Sequence, residues 1–310
     1  MPKIMSRTLA PLYPLLCLCA LSTPAMAEPG REPSPASPLP RVLMGTPPVN
    51  VNTSAAGTLP KNLFFSALNV SFADKTHAEK GGAARSDVFG QTWLLKLRYG
   101  LTDHVEFVAI TPYIDQSRSH PTPSPKHLGG WGDQVIGINA APFNLHQGDP
   151  VALSFSAAVL LPTGQEGKRH LPGNGAWGWR VGAAYGRFLT PNLKLDTEGV
   201  WSGPFERGNQ EVKRGQSWQW NSQLRYLFHA FDLGLESSLV HQKSAHAYTP
   251  AGKVSTRNGV TEWFVGPSLN IVLPADAWLG IGVFFPVHRH FDGPNKSENK
   301  RVELKIGKLW

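Results

Sequence analysis

Fourteen charged residues stand at alternate positions within short apolar stretches of this chain: Lys96, Arg98, Glu106, Arg180, Lys194, Asp196, Glu198, Arg225, Asp232, Glu236, Glu262, Arg301, Glu303 and Lys305. Asp133 belongs with them. Ionised groups in such surroundings must pair, or line water, because an isolated buried charge is too costly. Seven basic and eight acidic residues are close enough to balance to serve a polar conduit with a field across it. They could equally be ion pairs that brace a wall. Catalysis is less well served. Acyl hydrolysis needs a nucleophile with a base in hydrogen-bond reach, and Gly266-Pro-Ser-Leu-Asn270 only superficially approaches a Gly-x-Ser-x-Gly elbow. Asp103-His104 falls in a short turn, where a turn role accounts for both residues. His288-Arg-His290, with His241 and His246 on another loop, lacks the further ligands that imidazole ligation of a metal requires. No catalytic residue, metal or other cofactor is therefore expected, and the chain reads as a non-enzyme.

The elements that must position the charges are strands. From about Lys61 onward the apolar residues recur with period two in segments of roughly ten residues, the pattern of a membrane barrel. In Gln91–Tyr99 one face carries Trp93, Leu95, Leu97 and Tyr99 and the other Thr92, Lys96 and Arg98. Val151–Leu161 and Trp218–Phe228 alternate in the same way. Connections alternate in length too. Short ones lie at 101–104, 144–150, 189–192, 229–230 and 274–276, and long ones at 74–87, 115–131, 163–176, 203–215, 242–257 and 287–300. Six long and five short connections join twelve strands, the arrangement of short periplasmic turns and long outer loops. Soluble antiparallel sheets also have one apolar face, but closure separates the two cases. About eight strands make a barrel that side chains just fill, so twelve with apolar residues pointing inward would enclose a void. The polar face is expected to be the inner one.

The ends of the chain fit an exported protein. Lys3 and Arg7, the apolar run Leu9–Leu21 and Ala25-Met26-Ala27 read as a secretion signal. Residues 1–27 are thus expected to be removed, 28–60 to form a Pro-rich periplasmic tail, and 61–310 to form the barrel. Both cysteines, Cys17 and Cys19, lie in the signal, which excludes disulfides, Cys-ligated zinc and thiol nucleophiles from the mature protein. The formal charge of +8 falls to +6 without Lys3 and Arg7, and the six long connections carry sixteen basic against nine acidic residues. Aromatic residues gather near both strand ends, as at the two membrane boundaries. The final strand, Arg301–Trp310, resembles the C-terminal signal read by the barrel assembly machinery, with Lys308 in place of the usual apolar residue. Outer-membrane lipid, lipopolysaccharide, that machinery and a small-molecule solute are the expected partners, and nucleic acid is not among them.

Three stretches carry a resemblance: Arg98-Tyr-Gly-Leu-Thr-Asp-His-Val-Glu-Phe107, Gly132-Asp-Gln-Val-Ile-Gly-Ile138, and Val159-Leu-Leu-Pro-Thr-Gly164 followed by Trp179–Phe188. With them the chain resembles the family of outer-membrane transporters associated with the meta-pathway of phenol degradation. The resemblance implies an up-and-down transmembrane β-barrel in a Gram-negative outer membrane. It also implies a channel or transporter for passive uptake of a small aromatic or hydrophobic solute, and supplies no catalytic residue. The rival expectations are a barrel-embedded lipid hydrolase and a closed structural barrel.

Overall fold

The computed structural model describes residues 56–78, 88–118, 127–164, 173, 175–208, 211–228, 230–250, 252–256, 259–293 and 295–310. The expected signal and residues 28–55 of the expected tail lie outside them. Strands follow one another in the order β1 (Phe64–Ala78), β2 (Val88–Gly100), β3 (Val105–Arg118), β4 (His127–Trp131), β5 (Gln134–Phe143), β6 (Ala152–Leu161), β7 (Gly178–Thr190) and β8 (Leu193–Pro204). The second half continues with β9 (Val212–Lys213), β10 (Ser217–Leu227), β11 (Phe231–Gln242), β12 (His246–Thr249), β13 (Gly252–Ser255), β14 (Val260–Leu273), β15 (Ala277–Phe291) and β16 (Asn295–Leu309). Leu145–Gln147, between β5 and β6, forms a single 3-10 turn.

Each wall strand pairs antiparallel with its neighbours, and β1 pairs with both β2 and β16, so the sheet closes on itself. Closure leaves no unpaired edge, which is what permits strands to cross a bilayer. The wall has twelve positions, because β4 and β5 share one. Both pair with β3, β4 along Tyr113–Ser117 and β5 along Val105–Ile110. The break falls at Pro112, which has no N–H to give the ladder; its carbonyl still accepts from the Gly132 N–H at 2.9 Å. A Cβ on Gly132 would lie 2.9 Å from the proline ring, so the residue filling the break must be small.

Strands run further than the sequence pattern indicates. β15 and β16 continue through most of the expected 287–300 loop, and β1 and β3 extend to Ala78 and Arg118. Two of the outer connections also donate β9, β12 and β13 to a separate three-stranded sheet. Burial alternates with period two: the outward side chains of Phe155, Trp201, Trp220, Leu235 and Phe285 are half or more exposed, while their neighbours are covered. Trp179 and Trp201 meet edge to face at 4.9 Å on the outer surface near the loop end, and Phe228 stacks on Phe231 at 4.5 Å near the turn end. Trp278, beside the 274–276 turn, does not join these outer aromatics and stacks on the buried Phe65 at 5.0 Å. It shares the inner face with Gly307, its partner in register. Lys308 lies 3.8 Å above the Trp310 ring, so its cation is held by an aromatic face where the pattern ordinarily has an apolar residue.

Candidate functional site

All fourteen charged positions fall on the sheet face opposite Leu95, Leu97, Leu224 and Leu235, because they keep the strand period from one wall position to the next. Lys96 pairs with Ala67 and Ile110, Arg225 with Lys194 and Gly234, Glu303 with Ser71 and Gly282. Most are almost wholly covered; Arg180, Glu262 and Arg301 keep some exposure.

The tightest group sits at the turn end. Arg98 and Glu106 are diagonal neighbours across the β2–β3 hairpin, where Arg98 pairs with Val108 and Glu106 with Gly100, a distance that long side chains span. The guanidinium donates from Nε to Glu106 Oε1 at 2.8 Å and from Nη2 to Oε2 at 2.7 Å. Asn139 Nδ2 adds a third bond to Oε1 at 2.7 Å. A fourth comes from the Leu59 N–H at 2.9 Å. A planar guanidinium matched to both carboxylate oxygens is the strongest ion-pair geometry available.

That last donor belongs to a segment outside the wall. Residues 56–60, the end of the expected tail, are buried within the turn end of the barrel. Ala56 packs with Ala152 and Ala184, the Gly57 carbonyl accepts from Arg98, and Thr58 is held by Asn144 and the Asp103 carbonyl. The wall is cut to fit it. A Cβ on Gly100 would lie 2.0 Å from the Pro60 carbonyl oxygen, and one on Gly186 2.8 Å from the Ala56 methyl.

A second group solves a problem of register. Lys194 and Arg225 stand directly opposite each other, and like charges in that position repel. Asp196 answers both, at 2.8 Å from Lys194 Nζ and 3.4 Å from Arg225 Nη2, and Asp232 approaches Arg225 Nη1 at 3.6 Å. Amides extend the layer: Gln223 donates to Glu236 at 2.7 Å and Asn221 to Glu198 at 3.3 Å. Nearer the loop end, Arg301 binds Glu298 at 2.7 Å and reaches Glu303 at 3.6 Å, with its guanidinium 4.5 Å from the Phe264 ring centre.

These groups form one packed layer. Every wall position contributes a covered residue to it: Asn69, Arg98, Glu106, Asn139, Ser154, Ala184, Asp196, Gln223, Glu236, Asn270, Gly280 and Lys305. Ten of the twelve are polar, so buried polar side chains dominate the barrel interior at this level.

One part of the inner wall is not polar, and the alternation rule alone missed it. Leu94, Val108, Ile110, Pro112, Ile114, Val135, Ala158 and Leu160 also point inward, by their pairing with Lys96, Arg98 and Thr92 and with one another. The signal was present in β3, whose sequence Val-Glu-Phe-Val-Ala-Ile-Thr-Pro-Tyr-Ile is apolar on both faces. Such a run is what a strand covered on both sides shows. Among the described residues the loop histidines are not gathered into a ligand set; His241 Nδ1 lies 2.8 Å from Thr261 Oγ1 and its ring is tilted against Trp218.

The family model described as "Putative MetA-pathway of phenol degradation" matches residues 66–305. The chain belongs to that family. Among solved structures it is similar to an outer membrane channel from Pseudomonas putida F1, with a TM-score of 0.69 at 15% identity over 84% of this chain and 100% of that one. Lower on the scale are the NanC porin (TM-score 0.42, 12% identity, 78% and 98% covered) and a mutant of the TodX monoaromatic hydrocarbon channel (0.43, 11%, 81% and 90%). No curated protein matches the chain in sequence. Twelve-position closure and the likeness to the Pseudomonas putida channel give the chain the fold of an outer-membrane channel, a closed antiparallel β-barrel.

The three stretches that carry the family resemblance fall on one arc of the wall, β2 to β7. The first builds the hairpin that holds the Arg98–Glu106 pair. The second places Asp133, whose Oδ1 accepts from the Gly164 N–H at 3.1 Å, and the third supplies that glycine and Leu160.

Proposed function

We propose that this member of the family is a gated conduit for passive uptake of a small solute, aromatic or otherwise hydrophobic, across the outer membrane. The observation that carries the reading is the composition of the inner wall. A layer of ion pairs and amides fills the barrel where a structural barrel could have used apolar side chains at equal or better stability. An apolar lane runs along the wall on its loop side. Charged groups that pair with one another can re-pair or take water, which a packed hydrocarbon core cannot do. The solute class follows from the family description and suits the lane. The fourteen charged residues are proposed as lumen-lining residues, with Arg98, Asp196 and Arg225 in the narrowest part.

The covered layer favours a barrel that is shut at rest, so conduction requires the layer or residues 56–60 to move. Glu106, Asp196, Glu198, Asp232, Glu236 and Glu303 are each engaged by an arginine, lysine or amide partner, which supports a conduit and not a hydrolase. Loop cations that meet lipopolysaccharide phosphates, and a final strand read by the assembly machinery, complete the proposed partners. Residues 1–27 are proposed as the cleaved signal and 28–55 as a periplasmic tail. The test is osmotic swelling of liposomes holding the folded protein. Entry of benzyl alcohol faster than into protein-free liposomes by a saturable route, and exclusion of a trisaccharide, is the expected result. No protein-dependent entry of any small solute would refute the proposal.

A further inference from the structure

We infer that Tyr113, Asp115 and His127 form a binding site for a divalent transition-metal ion, Cu(II) in preference to Zn(II), on the outer surface of β3 and β4 near the loop end. The inference does not depend on the conduit reading. Along this ladder Tyr113 pairs with Trp131, Asp115 with Gly129 and Ser117 with His127. These rows face outward, because Tyr113 pairs on its other side with Trp93 and Asp115 with Gln91. Gly129 leaves a gap in the middle row. Asp115 stands beside the gap, His127 in the row above it, and Tyr113 and Trp131 below it, edge to face at 5.2 Å. Donor atoms turn into the gap: a Cβ on Gly129 would have Tyr113 Oη at 3.4 Å, His127 Nε2 at 3.5 Å and Asp115 Oδ1 at 3.7 Å. Gly129 keeps partial exposure, and the His127 and Asp115 side chains are 67% and 31% exposed, so an ion can arrive from water.

The contact between the imidazole and the carboxylate is the second observation. His127 Nδ1 stands 3.2 Å from Asp115 Oδ1, yet that oxygen accepts no hydrogen bond. A hydrogen bond needs the N–H aimed at the oxygen, whereas a metal ion needs two lone pairs that meet at a point beside the line joining the atoms. Ligand atoms about 2.0–2.1 Å from one ion, at angles between octahedral and tetrahedral, lie about 2.8–3.4 Å apart. The pair has that separation. As an exposed ion pair it would add little to stability. Among the described residues no three His, Cys, Asp or Glu side chains gather at one point, and here the third donor is a phenol, its ring held against Trp131. An imidazole nitrogen favours copper, zinc, nickel or iron over calcium and magnesium, and at such nitrogen and oxygen sites Cu(II) binds most tightly of the first-row divalent ions. Tyr113 would ligate as the phenolate, its proton passing to water, and water would complete the coordination. The sequence reading leaves 115–131 in an outer connection; the extension of β3 to Arg118 and its pairing with β4 bring His127 beside Asp115.

The folded protein in detergent is titrated with copper(II), zinc(II) and magnesium(II) chlorides, and binding is followed by calorimetry, electron paramagnetic resonance and visible absorption. Copper is expected to bind tightest, with nitrogen coupling in its resonance spectrum and a phenolate-to-copper absorption band. His127→Ala should remove one bound copper ion, and Asp115→Asn should weaken binding there about ten- to a hundredfold. Tyr113→Phe should abolish the absorption band and leave the nitrogen coupling. Gly129→Val fills the gap on an extended backbone without replacing a ligand, and should also abolish the band. The double variant His288→Ala, His290→Ala removes the other exposed pair of histidines and should leave the band unchanged. An unaltered number of bound copper ions in His127→Ala would overturn the inference. So would a band that survives in Tyr113→Phe or in Gly129→Val, or magnesium binding as tight as copper binding. Heat-modifiable migration on gels checks that each variant is folded.

Discussion

Replacing Glu106 by alanine would leave the Arg98 guanidinium without its carboxylate at a position where the two side chains are 2% and 0% exposed. The carboxylate accepts four bonds, from Arg98 Nε and Nη2, Asn139 Nδ2 and the Leu59 N–H, and all four donors would be orphaned together. Breaking a buried pair by removing one partner costs about 3–5 kcal/mol, since the remaining charge is uncompensated. At about 1.4 kcal/mol per factor of ten, that is a loss of two to three and a half decades in the folding equilibrium. Solvent screening offers no relief at this burial. The assay is urea unfolding of the protein in lipid or detergent, followed by the fluorescence of its ten tryptophans. The double variant Arg98→Met, Glu106→Leu removes both charges and should recover most of the loss, because apolar residues of similar volume often replace a buried pair at little cost. A destabilisation below about 1 kcal/mol for Glu106→Ala would show that water reaches the pair, and would refute the packed layer.

Further outcomes follow from other parts of the wall. Leu235→Lys, on the outward face and 56% exposed, should cost about 2–4 kcal/mol and impair assembly, whereas Thr92→Lys on the inner face should be tolerated; comparable yields of heat-modifiable barrel would reverse the face assignment. Gly100→Val should push residues 56–60 out of the turn end, so that a cysteine at Thr58 reacts with a thiol reagent in this variant and is protected without it. Burial holds the His146 imidazole below its ordinary pKa near 6.5. The folded state then takes up its proton later than the unfolded chain, so stability is full above pH 6.5 and falls as the pH drops below it. His146→Gln should flatten that acid limb in unfolding titrations.

The strand pattern made most of the barrel legible, and the reason is geometric: with side chains alternating at period two, a charge every second residue fixes a strand's inner face before its partners are known. Arg98 and Glu106 could be placed on that face separately. Their pairing could not be read, because it depends on the diagonal offset of one hairpin. β3 escaped the rule, since Val108, Ile110 and Ile114 are as apolar as Phe107 and Tyr113 behind them. Trp278 escaped it as well, its inward stacking on Phe65 being set by a partner more than two hundred positions away in the chain. Residues 56–60 carry no periodicity. Their seat is recorded only in what surrounds them, as the small side chains of Gly100, Ala152, Ala184 and Gly186.

Single-channel recording in planar bilayers tests the conduit most directly, with the folded protein compared with Arg225→Ala. Arg225 joins Asp196 and Asp232 in the covered layer, and its removal takes a large buried side chain out of that layer. The account predicts brief, infrequent conductance steps in the unaltered protein, and larger or longer-lived steps in Arg225→Ala. Silence from both proteins, in preparations shown to be folded and inserted, would contradict it.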